Sequence, residues 1–254
     1  MSAFDLSDRV VLVTGGNSGI GLGIALACAE AGADIVIWGT NEAKNEVAAT
    51  RIASTGRRVL AQRCDVGDED SVVSSFAEAV DDMGRVDTLF ANAGVGGYAP
   101  FVNMTLDEWR RVLRVNLDGA FLCLREAARH MVERGDGGSL VAISSVSAYD
   151  GSPGMQHYAG AKAALLSIMR GLAVELARHK VRCNSLLPGW TKTDMNAGIW
   201  QGENKVLHNT TQRTPVRRWA EGADMGPAAV FLADPTYLFH TGDAIVVDGG
   251  YTVF

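Results

Sequence analysis

Short apolar runs rich in Val, Ile and Leu alternate along this chain with longer stretches whose apolar positions recur at helical spacing. Strands are predicted near 9–13 (Arg-Val-Val-Leu-Val), 34–38 (Asp-Ile-Val-Ile-Trp), 58–63, 86–91, 139–143, 181–187 and 243–247. Helices are predicted near 19–31, 42–54, 69–82, 105–131, 157–178 and 222–232. The first strand is nearly all apolar, which suits a strand covered on both faces. Thr105-Leu-Asp-Glu108 reads as a capping box ahead of Trp109 and Leu113, so a helix should begin there. Strands alternating with helices imply right-handed crossovers and a parallel sheet with helices on both sides. No linker or repeat breaks the rhythm, so residues 1–254 are expected to form one doubly wound α/β domain. The segment 194–216 departs from the pattern, with Trp200 isolated among polar residues. It is expected to be an irregular lid over a substrate site, or more plainly a surface excursion or subunit contact.

Composition narrows the function classes. Of 254 residues 47% are hydrophobic, which together with the lack of a long polar tract excludes disorder. No apolar run reaches the roughly 18 residues of a membrane span. The first residues show no basic region followed by an apolar stretch, so no signal peptide is expected and the cytoplasm is the expected compartment. Formal charge is −6 with Lys and Arg scattered, a poor basis for binding nucleic acid or an anionic membrane. Cys28, Cys64, Cys123 and Cys183 lie far apart and read as buried free thiols, and no His spacing points to a metal site.

The first strand runs into Thr14-Gly15-Gly16-Asn17-Ser18-Gly19-Ile20-Gly21 and then a helix. A glycine turn that opens a helix sets free backbone N–H groups and the positive helix end beside a diphosphate. The spacing is T-G-x-x-x-G-x-G, since Ile24 stands where G-x-G-x-x-G needs its last glycine. Dinucleotides bind outside the carboxyl ends of the strands, where strand order reverses. Asp65-Val66, Asn92-Ala93-Gly94 and Pro188-Gly189 occupy three more such ends. Asp65 reads either as an acceptor for an adenine amino group or as a turn cap.

The second strand ends Trp38-Gly39-Thr40-Asn41-Glu42-Ala43-Lys44. NAD enzymes usually hold the ribose diol there with a carboxylate that would repel a 2′-phosphate. Gly39 carries none, while Thr40, Asn41 and Lys44 offer donors, although Thr40 and Asn41 read equally as caps of the next helix. The balance favours NADP, with NAD possible.

Ser145 follows the fifth strand, and Tyr158 and Lys162 stand at i and i+4 on one helical face. Acid–base work by a Tyr near neutrality asks for a pKa drop of roughly 3 units, about 4 kcal/mol. An ammonium about 5 Å away at an effective dielectric near 20 supplies on the order of 3 kcal/mol. Ser145 would then hold a substrate oxygen while the Tyr158 hydroxyl gives or takes its proton, with Lys162 also able to hold the nicotinamide ribose.

Together these residues resemble the short-chain dehydrogenase/reductase family over essentially the whole chain. The pieces are Thr14-Gly-x-x-x-Gly-x-Gly21, Asp65-Val66, Asn92-Ala93-Gly94, Asn116, Ser145, Tyr158-x-x-x-Lys162, Pro188-Gly189 through Thr193, and Val247-Asp248-Gly249-Gly250. The resemblance implies a seven-stranded parallel Rossmann sheet, a nicotinamide cofactor, and hydride transfer between nicotinamide C4 and a carbonyl carbon. It makes Asn116, Ser145, Tyr158 and Lys162 the catalytic group, with Asn116 holding a water that links Lys162 to solvent. It sets Gly15, Asn17, Ser18, Gly19, Ile20, Gly21, Gly39, Thr40, Asn41, Asp65, Val66, Asn92, Ala93, Gly94, Tyr158, Lys162, Pro188, Gly189, Thr191 and Thr193 about the cofactor. Thr191 and Thr193 resemble positions that contact the nicotinamide amide and the phosphates. Two departures, Ala91 for the first Asn of the usual N-N-A-G and Ala161 for a frequent Ser, remove no catalytic group.

By the same resemblance the substrate lies among 95–98, 146–157, Trp190 and 194–216. Tyr98, Tyr149, Met155, Trp190, Met195 and Trp200 imply an apolar pocket for an uncharged ketone or secondary alcohol, unless these side chains serve the core or an interface. The main alternative is an NAD-dependent polyol, sugar or hydroxysteroid dehydrogenase. A halohydrin-lyase-like protein would replace Lys162 and spoil the glycine turn, and a non-catalytic dinucleotide-binding protein would lose Tyr158 or Lys162. Small residues Ala159, Gly160, Ala163 and Ala164 on one helix, and an apolar Tyr251–Phe254 tail, together with the family habit imply a homotetramer.

Overall fold

The computed structural model describes residues 4–202, 204–234 and 236–254. Met1–Ala3, which open the stretch read for a leader, Glu203 in the expected lid, and Pro235 lie outside the described residues. The strands are β1 (Val10–Thr14), β2 (Asp34–Gly39), β3 (Val59–Arg63), β4 (Thr88–Ala91), β5 (Gly138–Ile143), β6 (Val181–Pro188) and β7 (Ala244–Val247). They form one parallel sheet in the order β3-β2-β1-β4-β5-β6-β7, in register Val10 to Asp34 and Thr14 to Trp38 on one side of β1, Val11 to Thr88 on the other. The chain leaves β1 toward one edge and resumes at β4 on its other side, so a crevice opens between the carboxyl ends of β1 and β4.

The helices are α1 (Gly19–Glu30), α2 (Glu42–Ala53), α3 (Glu69–Met83), α4 (Leu106–Leu113), α5 (Gly119–Arg134), α6 (Gln156–Leu176), α7 (Ala197–Trp200), α8 (Lys205–Arg213) and α9 (Gly226–Ala233). Alternate strand residues face opposite sides. Val10, Leu12 and Trp38 pack with Phe76, Cys123 and Leu165 from α3, α5 and α6. Val11, Val13, Ile35 and Ile37 pack with Ile24, Ile52 and Leu232 from α1, α2 and α9. The end of α9 is tied down by side chains from far along the chain. Ser139 Oγ donates to Leu232 O at 2.7 Å, Thr88 Oγ1 to Ala233 O at 3.2 Å, and the buried Arg182 to Leu232 O and Asp234 O.

Three expectations change. The helix predicted over 105–131 is two helices joined by a wide turn, Arg114–Asp118, in which the Gly119 N–H reaches back to Arg114 O. The cause is the Asn116 side chain, whose Nδ2 donates to Val112 O at 2.8 Å and takes the carbonyl a regular helix would give to a backbone N–H. Only half of the capping box forms: Thr105 accepts from Glu108 N at 3.1 Å, while the Glu108 carboxylate turns to Arg111. Nor is the segment 194–216 irregular, since it contains α7 and α8, the latter capped by Asn204, which accepts from Val206 N at 2.8 Å.

Candidate active site

The turn from β1 into α1 lies at the crevice. Gly15 and Gly19 have φ of 63° and 52°, where a Cβ is strained, and a Cβ on Gly21 would run into the Gly15 carbonyl oxygen. Side chains of Asn41, Asp68 and Thr105 cap α2, α3 and α4, but Ser18 at the N-cap of α1 makes no such bond. Its hydroxyl bonds the Asp194 carboxylate, which Lys44 above all holds below the usual carboxylate range. The first N–H groups of α1 are therefore left for an anion, and this cradle fits a dinucleotide diphosphate. Asn92 braces it, donating from Nδ2 to Thr14 O at 2.8 Å and from its backbone N–H to Thr14 Oγ1 at 3.0 Å; Ala93 N–H also donates to Thr14 Oγ1, at 2.9 Å.

The loop after β6 folds back over this turn. A Cβ on Gly19 would stand 3.0 Å from Thr193 Cγ2, so the two segments touch. Pro188 closes β6, Thr191 Oγ1 donates to Gly189 O at 3.0 Å, and Asn196 ties the loop by donating to Thr191 O at 2.8 Å. At the β3 end Val66 is buried, and Asp65 accepts from Gly67 N at 2.9 Å and from Arg114 at 3.2 Å. Asn41 caps α2, accepting from Lys44 N at 3.0 Å, Thr40 is exposed, and Lys44 Nζ is 2.7 Å from Asp194.

Around the end of β5 four side chains converge. Ser145 follows the strand and accepts from Ser147 N at 3.1 Å. The first turn of α6 carries Tyr158, and one turn on Lys162, 3% exposed, donates to Ile143 O at 2.8 Å. Asn116 is fully buried with Nδ2 on Val95 O and Val112 O, and its Oδ1 has no partner among the described residues. A Cβ on Gly94 would stand 2.6 Å from that oxygen and 3.7 Å from Lys162 Nζ, so Gly94 keeps the space between them open. The expected drop in the Tyr158 pKa is not present in the chain alone. Burial raises it above the ordinary 10, against a hydrogen bond with Ser145 that lowers it. The Lys162 ammonium is itself desolvated, and burial pulls its pKa down to about 8.

Side chains expected in the pocket divide. Tyr98, Tyr149 and Met195 are exposed. Trp190 stacks on the buried Trp219 with centroids 4.8 Å apart, and Trp200 Nε1 donates to Thr193 O at 2.9 Å, so both tryptophans anchor the segment. Sequence spacing missed three long-range pairs. Arg213 approaches Asp150 at 3.8 Å, His157 beside Tyr158 approaches Glu108 at 3.4 Å, and Asn17 Nδ2 donates to Asn45 at 2.7 Å. Arg111 holds the Glu108 carboxyl down to about 2 and donates to Gly96 O at 2.7 Å. Among the described residues no group of three His, Cys, Asp or Glu side chains is placed to hold a metal, and no helix is long and apolar enough to cross a membrane.

A family model described as enoyl-(acyl carrier protein) reductase matches residues 15–252, and curated relatives align over nearly the full chain. The chain belongs to the short-chain dehydrogenase/reductase family. One relative, L-rhamnose 1-dehydrogenase (NAD(P)(+)) of Sphingomonas sp. (strain SKA58), is 36% identical over 98% of each chain. Gluconate 5-dehydrogenase of Gluconobacter oxydans (strain 621H) is 34% identical over 98% of this chain and 97% of its own. The crystal structure of a gluconate 5-dehydrogenase from Burkholderia cenocepacia J2315 in complex with NADP and tartrate superposes with a TM-score of 0.93. It is 35% identical and covers 99% of this chain and 98% of that one. This short-chain dehydrogenase/reductase is an NAD(P)-dependent oxidoreductase that acts on CH–OH or C=O groups by hydride transfer.

Proposed function

We propose that the protein transfers hydride between NADP(H) and a ketone or secondary alcohol, with Tyr158 as general acid/base. The observation that carries this reading is the convergence of Ser145, Tyr158, Lys162 and Asn116 beside an uncapped glycine turn. When bound, the nicotinamide gives or takes the hydride and, oxidised, adds a positive charge that favours the Tyr158 phenolate. In reduction, the Ser145 hydroxyl holds the carbonyl oxygen and the Tyr158 hydroxyl delivers the proton as hydride reaches the carbon. The Lys162 ammonium stabilises the phenolate left behind, and the Asn116 Oδ1 side of the Gly94 space is the route by which it is reprotonated. Oxidation runs the same steps backwards, with Tyr158 taking the proton.

NADP(H) is favoured because Gly39 brings no carboxylate to the ribose. Thr40 is exposed at the strand tip, whereas Asn41 serves α2 and Lys44 serves Asp194. Segment 194–216 acts as the substrate lid in this reading, supported by the Met195 contact with Gly96 and the approach of Arg213 to Asp150. That approach also favours a second reading, oxidation of a sugar or polyol, as in the rhamnose and gluconate relatives, because it brings hydrogen-bonding groups to the rim. Exposed Leu106, Phe121, Val174, Val253 and Phe254 support a homotetramer, which light scattering tests. Four buried free cysteines support a reducing, cytoplasmic setting.

Titration with NADPH and NADH, followed by quenching of the five tryptophans, tests the cofactor. Tighter NADPH binding is expected, and tighter NADH binding would overturn the preference. Parallel panels of uncharged ketones and of sugars then separate the two substrate readings.

A further inference from the structure

We propose that the hydrogen-bonded pair Asn17–Asn45 sets cofactor choice by filling the place from which a carboxylate would grip the ribose diol. The inference rests on the NADP(H) reading above and adds the residues that enforce it. In dinucleotide-binding folds the side chain near the tip of the second strand reads the ribose 2′ position. Gly39 has none, and sequence alone presents that as a simple lack of repulsion. The packing supplies a cause. A Cβ on Gly39 would lie 2.5 Å from Asn45 Oδ1 and would run into Asn17 Nδ2.

The Asn45 amide is not free to step aside. Asn45 is 4% exposed and donates both Nδ2 hydrogens, to Gly39 O and to Gln62 O, each at 3.0 Å. Its Oδ1 must then face Asn17 as acceptor, and Asn17 must present Nδ2 to it, at 2.7 Å. Gln62 is fixed in turn: Nε2 donates to Ser75 O at 3.2 Å and to Glu78 Oε2 at 3.0 Å, and Oε1 accepts from Trp38 Nε1 at 2.8 Å. A continuous run of bonds thus leads from buried Trp38 to the glycine turn, and the bridge is part of the fold.

The bridge also decides what the ribose meets. Two neutral amides stand where a carboxylate would, and one Asn17 N–H lies outside the network as a donor. A donor without a carboxylate suits a phosphate and gives a bare diol little. Lys44 is engaged by Asp194, and Arg63, paired with Gly39 across β2 and β3, lies 3.7 Å from Glu42, so the bridge is the part of the strand tip that bars a carboxylate.

The test is a set of dissociation constants for NADPH and for NADH, read by tryptophan quenching. The proteins are the unaltered chain, Asn17→Ala, Gly39→Asp and the triple variant Asn17→Ala/Gly39→Asp/Asn45→Ala. The ratio for the unaltered chain tests the NADP(H) preference; changes in the ratio test the bridge. Asn17→Ala is expected to weaken NADPH about tenfold and NADH by less than about twofold. Gly39→Asp alone should weaken both, because its side chain enters only by breaking the bridge. The triple variant, which clears both amides from the new Cβ, should recover NADH binding and reverse the ratio. A switch to NADH by Gly39→Asp alone, no recovery in the triple variant, or an equal or absent effect of Asn17→Ala on the two cofactors would overturn the proposal. Circular dichroism monitors folding; if Gly39→Asp does not fold, Asn17→Ala decides alone, since truncation enters no occupied space.

Discussion

The Lys162 ammonium lies 5.7 Å from the centroid of the Tyr158 ring and gives its hydrogen bond to the Ile143 carbonyl, at 2.8 Å. A buried cation with one neutral acceptor among the described residues is costly, which is why its pKa falls from 10.5 to about 8.

That depression has a stability consequence. Between pH 8 and 10.5 the unfolded chain holds a proton that the folded one lacks, so this group's contribution to stability rises with pH across that window. Below the window its cost is full, about 3 kcal/mol. Lys162→Met removes the cost but orphans the Ile143 carbonyl, worth about 1–2 kcal/mol. The variant should therefore be about 1–2 kcal/mol more stable at pH 7 and lose that advantage toward pH 10. Urea unfolding at both pH values checks it; a variant less stable at pH 7 would refute the burial argument.

Tyr158→Phe deletes one hydroxyl from a partly buried ring and leaves the glycine turn untouched. Turnover should fall by about 10³-fold while the NADPH dissociation constant stays within about twofold. A variant that keeps a tenth of the activity would remove Tyr158 from the chemistry.

Ser145→Ala removes the hydrogen bond that lowers the Tyr158 pKa. With burial then unopposed, the pKa rises further. The pH profile for alcohol oxidation should move to higher pH, and an unchanged or acid-shifted profile would show that Ser145 does not act on the phenol.

Asn116→Ala deletes two amide hydrogen bonds, to Val95 O and Val112 O, and frees Val112 O for a backbone N–H. The wide turn should tighten toward a regular helix at a cost of about 2 kcal/mol. Urea unfolding reads the cost, and slower turnover should accompany it. Full stability in the variant would mean that the side chain does not hold the turn.

All seven strands lie where hydrophobic pattern sets them, within a residue or two: the central ones, buried on both faces, are nearly continuous apolar runs, and the less buried edges β3 and β7 still open on apolar residues. The wide turn in 114–118 was not legible, since periodicity does not report a side chain that takes a backbone acceptor. Helix α8 was missed for a related reason: it is short and polar, and Asn204 and the bond from Trp219 to Thr210 hold it. The glycine turn and the Tyr158–Lys162 pair are local in sequence and could be read there. Asn17–Asn45, Lys44–Asp194 and Glu108–His157 join residues 28, 150 and 49 positions apart, and only the folded chain brings them together.

The anchoring of α9 bears on how the protein is made. Thr88, Ser139 and Arg182 are buried donors whose acceptors are the carbonyls of Leu232, Ala233 and Asp234. On the ribosome, six strands emerge well before those carbonyls do. The nascent sheet must wait with a hydroxyl on β4, another on β5 and a guanidinium on β6 still hydrated, so its centre cannot dry early. Synthesis that stops short of residue 226 leaves every one of these donors without its acceptor. Such a fragment carries the whole of the nucleotide turn's sequence yet lacks Ala229, Leu232 and Ala233, which close the core on the α1 side of the sheet, and it should be a substrate for chaperones and proteases rather than a small binding domain.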